Sequence, residues 1–461
     1  KYTATAGLMP LKDENGSVEA HIFYIAYTLD DVDHAKRPLT FAFNGGPGSA
    51  SIWVHLGCMG PKRIKMQADG GMPAPPYHLE DNPYTWLDQT DLVFIDPVGT
   101  GYSRPAKPEL GKKFWGLQGD IASVGQFIRL YMTEYDRWVS PLFLAGESYG
   151  TTRSAGLAGY LIDHGVAFNG IILISTVLNF ETLLPARGND LPYILYLPSF
   201  TSTAWYHKKL PSEMQQKSVE EVVAESEKWA GTDYVIALQR GDSLTPQERQ
   251  DVINKLAAFT GLDKGLIDDA NLRITGALFE KNLLHGEKKT TGRLDSRFVG
   301  VDELAIGTRP EFDPSSVAIR PPFTAMFSNY IKTELNYKSD LEYYALGGGV
   351  RGWDWGSDNR FADTSEALRS AFAQNPDMKL FVAMGYYDLA TPLFAVQYTL
   401  NHMNINAGLK HNISEGYYEA GHMMYIDNKS IAKLRRDVST FIDSAVATEP
   451  ERGGLDAPVE K

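Results

Sequence analysis

Short, mostly apolar runs that end in glycine, proline or a polar residue recur along this chain. PLTFAFNGG (38–46), DLVFIDP (91–97), PLFLAGES (141–148), GIILIST (170–176) and MKLFVAMGYYD (378–388) are the clearest. Apolar on both faces, they read as buried parallel strands. The segment VEAHIFYIAYT (18–28) partly alternates and reads as an early antiparallel strand. Helix-period segments lie between several of the strands, for example over 119–135. Strand and helix in alternation predict an α/β chain, a mostly parallel central sheet with helices on both faces.

Between about 181 and 335 the strand runs vanish and helical patterns take over. PSEMQQKSVEEVVAESEKWAG suggests a capping box of Ser212 with Gln215. TPQERQDVINKLAAFTG suggests another, Thr245 with Glu248, with Pro246 in the first turn and Gly261 at the stop. The stretch is too long for a loop and predicts a mostly helical cap insertion. The expected organisation is 1–180 as the first part of the core, 181–335 as the cap and 336–461 as the second part of the core.

One junction carries chemistry. In PLFLAGESYGTTRSAG (141–156) an apolar strand runs into Gly146-Glu147-Ser148-Tyr149-Gly150 and then at once into a helical segment. G-x-S-x-G at a strand-to-helix turn is the pattern of a nucleophile elbow, which lifts the serine hydroxyl clear of the backbone. The bland alternative is a βα turn that happens to contain serine. A serine alone is a weak nucleophile, so the functional reading requires a base, an acid to orient it and an oxyanion hole.

In open α/β sheets such groups lie beyond the carboxyl ends of the strands, and the α/β-hydrolase order is Ser, then Asp or Glu, then His. Three histidines follow the last long apolar strand. His402 falls in a helical pattern and His411 begins a strand-like run, whereas His422 lies in the loop EAGHMMY. The acid is best placed at Asp388, which ends KLFVAMGYYD; Asp377 precedes that strand and would face the wrong edge. One oxyanion amide is expected from Tyr149 and a second from the glycine loop of FAFNGGPGSAS.

Composition narrows the field. The 461 residues carry a formal net charge of −13, which argues against nucleic acid or an anionic membrane as partner. No apolar run approaches the length of a membrane span. The single cysteine, Cys58, cannot form an intramolecular disulfide. That argues against a disulfide-dependent secreted eukaryotic protein but leaves the periplasm open, and Lys1 in first place suggests that an upstream segment was removed, so a periplasmic or secreted location is the expectation. No H-E-x-x-H or clustered Cys/His pattern occurs, so no metal or cofactor is expected.

Taken together, FNGGPGSAS, MGP (59–61), DNPYTWLDQTDLVFIDPVGTGYS, GESYG, GYYD and AGHMM resemble the serine carboxypeptidases, in that family's order and with similar spacing. The lone cysteine and the GYYDLATP wording are similar to its bacterial branch. The resemblance implies an α/β-hydrolase fold, removal of C-terminal residues from peptides, and a triad of Ser148, Asp388 and His422. It further implies oxyanion amides at Gly46 and Tyr149, and recognition of the substrate carboxylate by Asn44, the Gly45 amide and Glu147. One position departs from the family, in which a second glutamate lies two residues before the Gly-Pro; here Cys58 stands there. Two carboxyls sharing a proton can hold a carboxylate, but a lone ionised Glu147 would repel it. Arg153 and Arg63 are the candidate cations to compensate. The two tryptophans of GWDW (352–355) could wall a substrate pocket or simply pack at the cap hinge. An esterase or amidase, an acyltransferase and a non-catalytic binding module on the same fold are the alternatives; the first two share the acyl-enzyme.

Overall fold

A computed structural model describes residues 1–447. Its main sheet is built from β1 (Tyr2–Lys12), β2 (Val18–Leu29), β3 (Leu39–Phe43), β4 (Asp91–Asp96), β5 (Leu142–Ser148), β6 (Gly170–Thr176), β7 (Lys379–Gly385) and β8 (Ile413–Tyr418). The spatial order is β1-β2-β4-β3-β5-β6-β7-β8, and a short strand at Arg104–Pro105 adds to β2. The β1–β2 and β2–β4 pairs are antiparallel, and every pairing from β4 onward is parallel. The chain thus has the mostly parallel α/β-hydrolase sheet expected. Strand β1 is an addition that the sequence pattern did not single out.

Successive residues of the central strands enter two different cores. Phe41, Val93, Ile95, Leu144, Ile171 and Leu173 face one apolar cluster; Ala42, Phe94, Phe143, Ala145, Ile172 and Ile174 face the other. That is why these strands are apolar throughout and do not alternate. Helices α1 (Leu117–Glu134) and α2 (Tyr149–Ile162) pack on the first face. Helices α6 (Pro314–Thr333) and α9 (Asn428–Val446) pack on the second. Among the described residues no helix is long and apolar enough to cross a membrane.

The insertion contains α3 (Leu191–Tyr206), α4 (Val219–Trp229) and α5 (Pro246–Thr260), which share a third cluster with Leu210, Ile267 and Phe279. Leu389, in the loop after β7, and Phe394, in the helix that follows it, join that cluster, so the cap is seated on the segment after β7. Helix α6, still within 181–335, packs instead into the second face of the sheet. The Thr245–Glu248 capping box is present, and Gly261 takes the left-handed conformation that ends α5. Ser212 does not cap. It lies inside a four-residue turn entered from Pro211, and the second capping box is formed by Ser218 and Glu221. The physical reason is that the amphipathic face of α4, with Val219, Val222 and Val223 buried, begins only after Ser218.

α7 (Ser365–Gln374) and α8 (Leu393–His402) flank β7. The register sets the site. Phe43 is opposite Gly146, and Gly385 is opposite Tyr418. The loops leaving β3, β5, β7 and β8 therefore emerge together at one edge of the sheet.

Candidate active site

Ser148 is the last residue of β5 and immediately precedes α2, with φ 59° and ψ −130°. A non-glycine residue rarely adopts that conformation, and here it turns the chain sharply from strand to helix. The turn is possible because nothing projects from its neighbours. A Cβ on Gly146 would stand 2.2 Å from the Gly150 carbonyl oxygen, and one on Gly45 would stand 2.4 Å from the Tyr149 amide nitrogen. The second contact also shows that the Asn44-Gly45-Gly46 loop lies against the start of α2. As the first residue of that helix, Tyr149 has an N–H with no acceptor inside the helix.

Asp388 lies three residues past β7 and is buried with His422, their side chains 1% and 4% exposed. The His422 Nδ1 is 2.7 Å from Asp388 Oδ2. An ionised carboxylate only accepts, so Nδ1 carries the proton and Nε2 is left as the basic nitrogen. The remaining lone pairs of Asp388 are used too. Oδ1 accepts from the amides of Ala390 (2.7 Å) and Thr391 (2.9 Å), and Oδ2 accepts from the Thr391 hydroxyl (2.7 Å). Burial works against the imidazolium of His422, but the charge and hydrogen bond of Asp388 outweigh it. The His422 pKa is held above the ordinary histidine value.

The His422 loop is braced from several elements. The His422 amide donates to the Leu294 carbonyl (2.6 Å), the Ser175 hydroxyl at the end of β6 donates to the His422 carbonyl (2.6 Å), and the Gly421 amide donates to Asp295 Oδ2 (3.0 Å). Arg297 fixes that aspartate with a 2.7 Å ion pair and also donates to the Glu419 carbonyl (2.9 Å). The same insertion segment holds the acid's loop, because the Leu389 amide donates to the Arg293 carbonyl. Thus residues 293–297 tie the histidine loop to the aspartate loop. Their contribution was invisible in the sequence, where they fall in a stretch without motif.

Ser148, His422, Asn44, Gly45, Gly46 and Glu147 line one cavity of about 170 Å³. Glu147 is buried beneath it and accepts a short hydrogen bond from the Tyr425 hydroxyl. Burial pushes the Glu147 carboxyl up to about 7, and the nearby His422 and the Tyr425 bond offset only part of that rise. Asn44 is 1% exposed; its Oδ1 accepts from the Val54 amide, while its Nδ2 makes no hydrogen bond of normal geometry among the described residues but stands close enough to Glu147 and Tyr425 to act on both. Among the described residues no group of three or more His, Cys, Asp or Glu is placed to hold a metal ion.

The expectation that Arg153 or Arg63 compensates for Cys58 at Glu147 is not met. Arg153 is 1% exposed, pairs with Asp120 (2.8 Å) and donates to the Asn44 carbonyl (2.7 Å), so its charge serves the glycine loop and α1. Arg63 turns to Asn428 (3.3 Å) and lies over the Tyr84 ring. Tyr425, three residues after the histidine, is the partner Glu147 has instead. Trp353 and Trp355 do not line the cavity; their rings lie 5.2 and 5.9 Å from that of Tyr149 and pack behind it.

A parallel α/β sheet that brings an elbow serine and an Asp-paired histidine to one cavity defines a serine hydrolase-type site of the α/β-hydrolase class. The family model described as serine carboxypeptidase matches residues 2–296. The chain belongs to the serine carboxypeptidase family. Among curated relatives, it is 30% identical over 174 residues to the pheromone-processing carboxypeptidase KEX1 of Saccharomyces cerevisiae, covering 34% of this chain and 22% of that one. It is 26% identical over 223 residues to carboxypeptidase Y of the same yeast, covering 46% of this chain and 36% of that one. The matched stretches thus span well under half of those relatives. The crystal structure of yeast Kex1(delta)p, a prohormone-processing carboxypeptidase, superposes with a TM-score of 0.59 at 18% identity, covering 95% of this chain and 91% of that one. That likeness establishes the fold.

Proposed function

We propose that this protein is a serine-type carboxypeptidase that releases C-terminal residues from peptides through an acyl-enzyme on Ser148. The observation that carries the reading is a carboxyl, Glu147, held toward its neutral form beneath the cavity that Ser148 and His422 share. A neutral carboxyl can donate a hydrogen bond to a substrate carboxylate, with the Asn44 amide, a donor close to Glu147, beside it.

In the proposed reaction the Ser148 Oγ attacks the last peptide carbonyl and its proton passes to His422 Nε2. The amides of Gly46 and Tyr149 receive the developing oxyanion. Collapse breaks the C–N bond, and His422 returns the proton to the leaving amine. Water, deprotonated by the same nitrogen, then cleaves the ester and restores the serine. Asp388 keeps Nδ1 protonated and stabilises the imidazolium at each transfer. The test is a panel of N-blocked dipeptide acids, the matching C-terminal amides and simple esters. Preference for the acids is the expected result; equal rates on acid and amide at every pH would make the protein a general acyl hydrolase.

The pH dependence should divide by substrate. His422 must be neutral to act, and its pKa is raised above 6.5, so kcat/KM for esters and amides falls as pH drops through a midpoint above that value. Glu147 ionises as pH rises through about 7. If only its neutral form receives the carboxylate, KM for peptide acids rises about tenfold by pH 8, where about a tenth of the carboxyl remains neutral. Steady-state kinetics of Glu147→Gln check this: the variant, permanently neutral, should show no such rise, and an unchanged rise would remove Glu147 from carboxylate recognition.

A further inference from the structure

The cavity holds more charge than its buried residues account for. Arg293, in the segment that ties the histidine loop to the aspartate loop, and Arg320, on α6, both line it together with Ser148, His422 and Glu147. Both arginines are exposed. Among the described residues neither guanidinium has an ion-pair partner, unlike Arg153 and Arg297, which are committed to Asp120 and Asp295. Two acidic groups beside the Arg293 segment do not pair with it. Asp313 makes no ion pair with either arginine: its Oδ1 accepts from the amides of Arg293 and Ser315 and from the Ser315 hydroxyl as the cap of α6, and its Oδ2 from the Leu294 amide at 3.4 Å. Glu280 feels the Arg293 charge, but burial pushes its carboxyl up to about 7 and it makes no ion pair with that guanidinium. Near Glu147 a second acid is missing, since position 58 holds Cys58, which is fully buried with its thiol held neutral.

We propose that Arg293 and Arg320 form a cationic clamp that binds a carboxylate of the leaving residue, supplying the attraction that a carboxyl pair at Glu147 and position 58 cannot. The proposal rests on the carboxypeptidase reading and names the recognition element of that same site. Guanidinium groups stay charged at every working pH and offer paired N–H donors that match a carboxylate. They are placed at the mouth, where they attract an anion before it is desolvated. Asn44 Nδ2 and neutral Glu147 meet it farther in. Two carboxylates have this chemistry, the α-carboxylate and the side chain of an acidic leaving residue, and the cavity assigns the clamp to either through the same contacts.

The experiment separates them, and it also separates the clamp from catalysis. Ser148→Ala protein is titrated by calorimetry with an N-blocked dipeptide acid, its C-terminal amide, and an amide whose last residue is glutamate. The same titrations are run with Arg293→Gln plus Arg320→Gln added, and with Arg293→Lys plus Arg320→Lys added. Both side chains are exposed, and melting temperature verifies that each variant is folded. The parent should bind the acid more tightly than the amide, and the glutamine pair should lose about tenfold to a hundredfold of that preference at pH 8. The lysine pair should keep part of it. Loss confined to the glutamate amide supports the clamp with the side-chain carboxylate as its ligand. An acid-over-amide preference and a glutamate-amide affinity both untouched by the glutamine pair overturn it. Because the readout is binding, a wild type that hydrolyses none of the panel while its Ser148→Ala form still shows the arginine-dependent preference would reject the carboxypeptidase reading and keep the clamp.

Discussion

Ser148→Ala should lower turnover by about four to six orders of magnitude, the usual consequence of deleting the nucleophile of a cooperating triad. Little else should change. Alanine can occupy the same φ of 59°, and the serine's hydroxyl makes no hydrogen bond to the rest of the described chain that the fold would lose. The strained backbone is held by its surroundings, chiefly the close approach of Gly45 and Gly146 to the first turn of α2. Intact-mass measurement after treatment with an active-site serine reagent should find one adduct on the wild type and none on the variant, at an unchanged melting temperature. An adduct of equal yield on Ser148→Ala would place the nucleophile elsewhere.

Asp388→Asn should cost about four orders of magnitude in kcat, for a reason the hydrogen bonds specify. The Oδ1 of residue 388 must remain an acceptor, because the amides of Ala390 and Thr391 both point at it. An asparagine is therefore forced to put its NH2 where Oδ2 now faces His422 Nδ1. That group donates, so Nδ1 becomes the acceptor and the ring proton moves to Nε2. The imidazole then presents a donor to Ser148 and cannot take its proton. Removing the aspartate charge also removes what holds the His422 pKa up, so the acid limb of any residual activity should shift to lower pH. Both can be read from kcat/KM profiles on an ester. A loss under tenfold, or an acid limb that does not move, would show that Asp388 does not orient the histidine.

Which parts of this site were legible depends on the range of the interaction behind each. The elbow at 146–150 was legible because its cause is local: one short turn, crowded enough that Gly146 can carry no Cβ. Asp388 and His422 were legible at one remove, since strand ends locate the carboxyl edge of a parallel sheet and chain order separates His422 from His402 and His411. His402 indeed ends a helix and bonds back to the Tyr398 carbonyl. Local reasoning failed at Ser212, where two cap patterns stand six residues apart and packing of α4 chose Ser218. It failed again at Arg63 and Arg153. Their long side chains reach several ångströms in any direction, and sequence distance from Glu147 says nothing of which carboxylate or carbonyl they will meet.

The sequence by itself pointed to the layers, the parallel core and a candidate Ser-Asp-His set, because backbone periodicity and turn chemistry act over a few residues and strand ends mark the carboxyl edge of the sheet. Only the tertiary structure decided the electrostatics. Tyr425 became the partner of Glu147, Asp295 and Arg297 became the brace of the histidine loop, and burial of Glu147 moved its carboxyl to about 7. These are pairings between residues up to 278 positions apart. Their strength comes from exclusion of water at the place where they meet, a property no single stretch of the chain possesses.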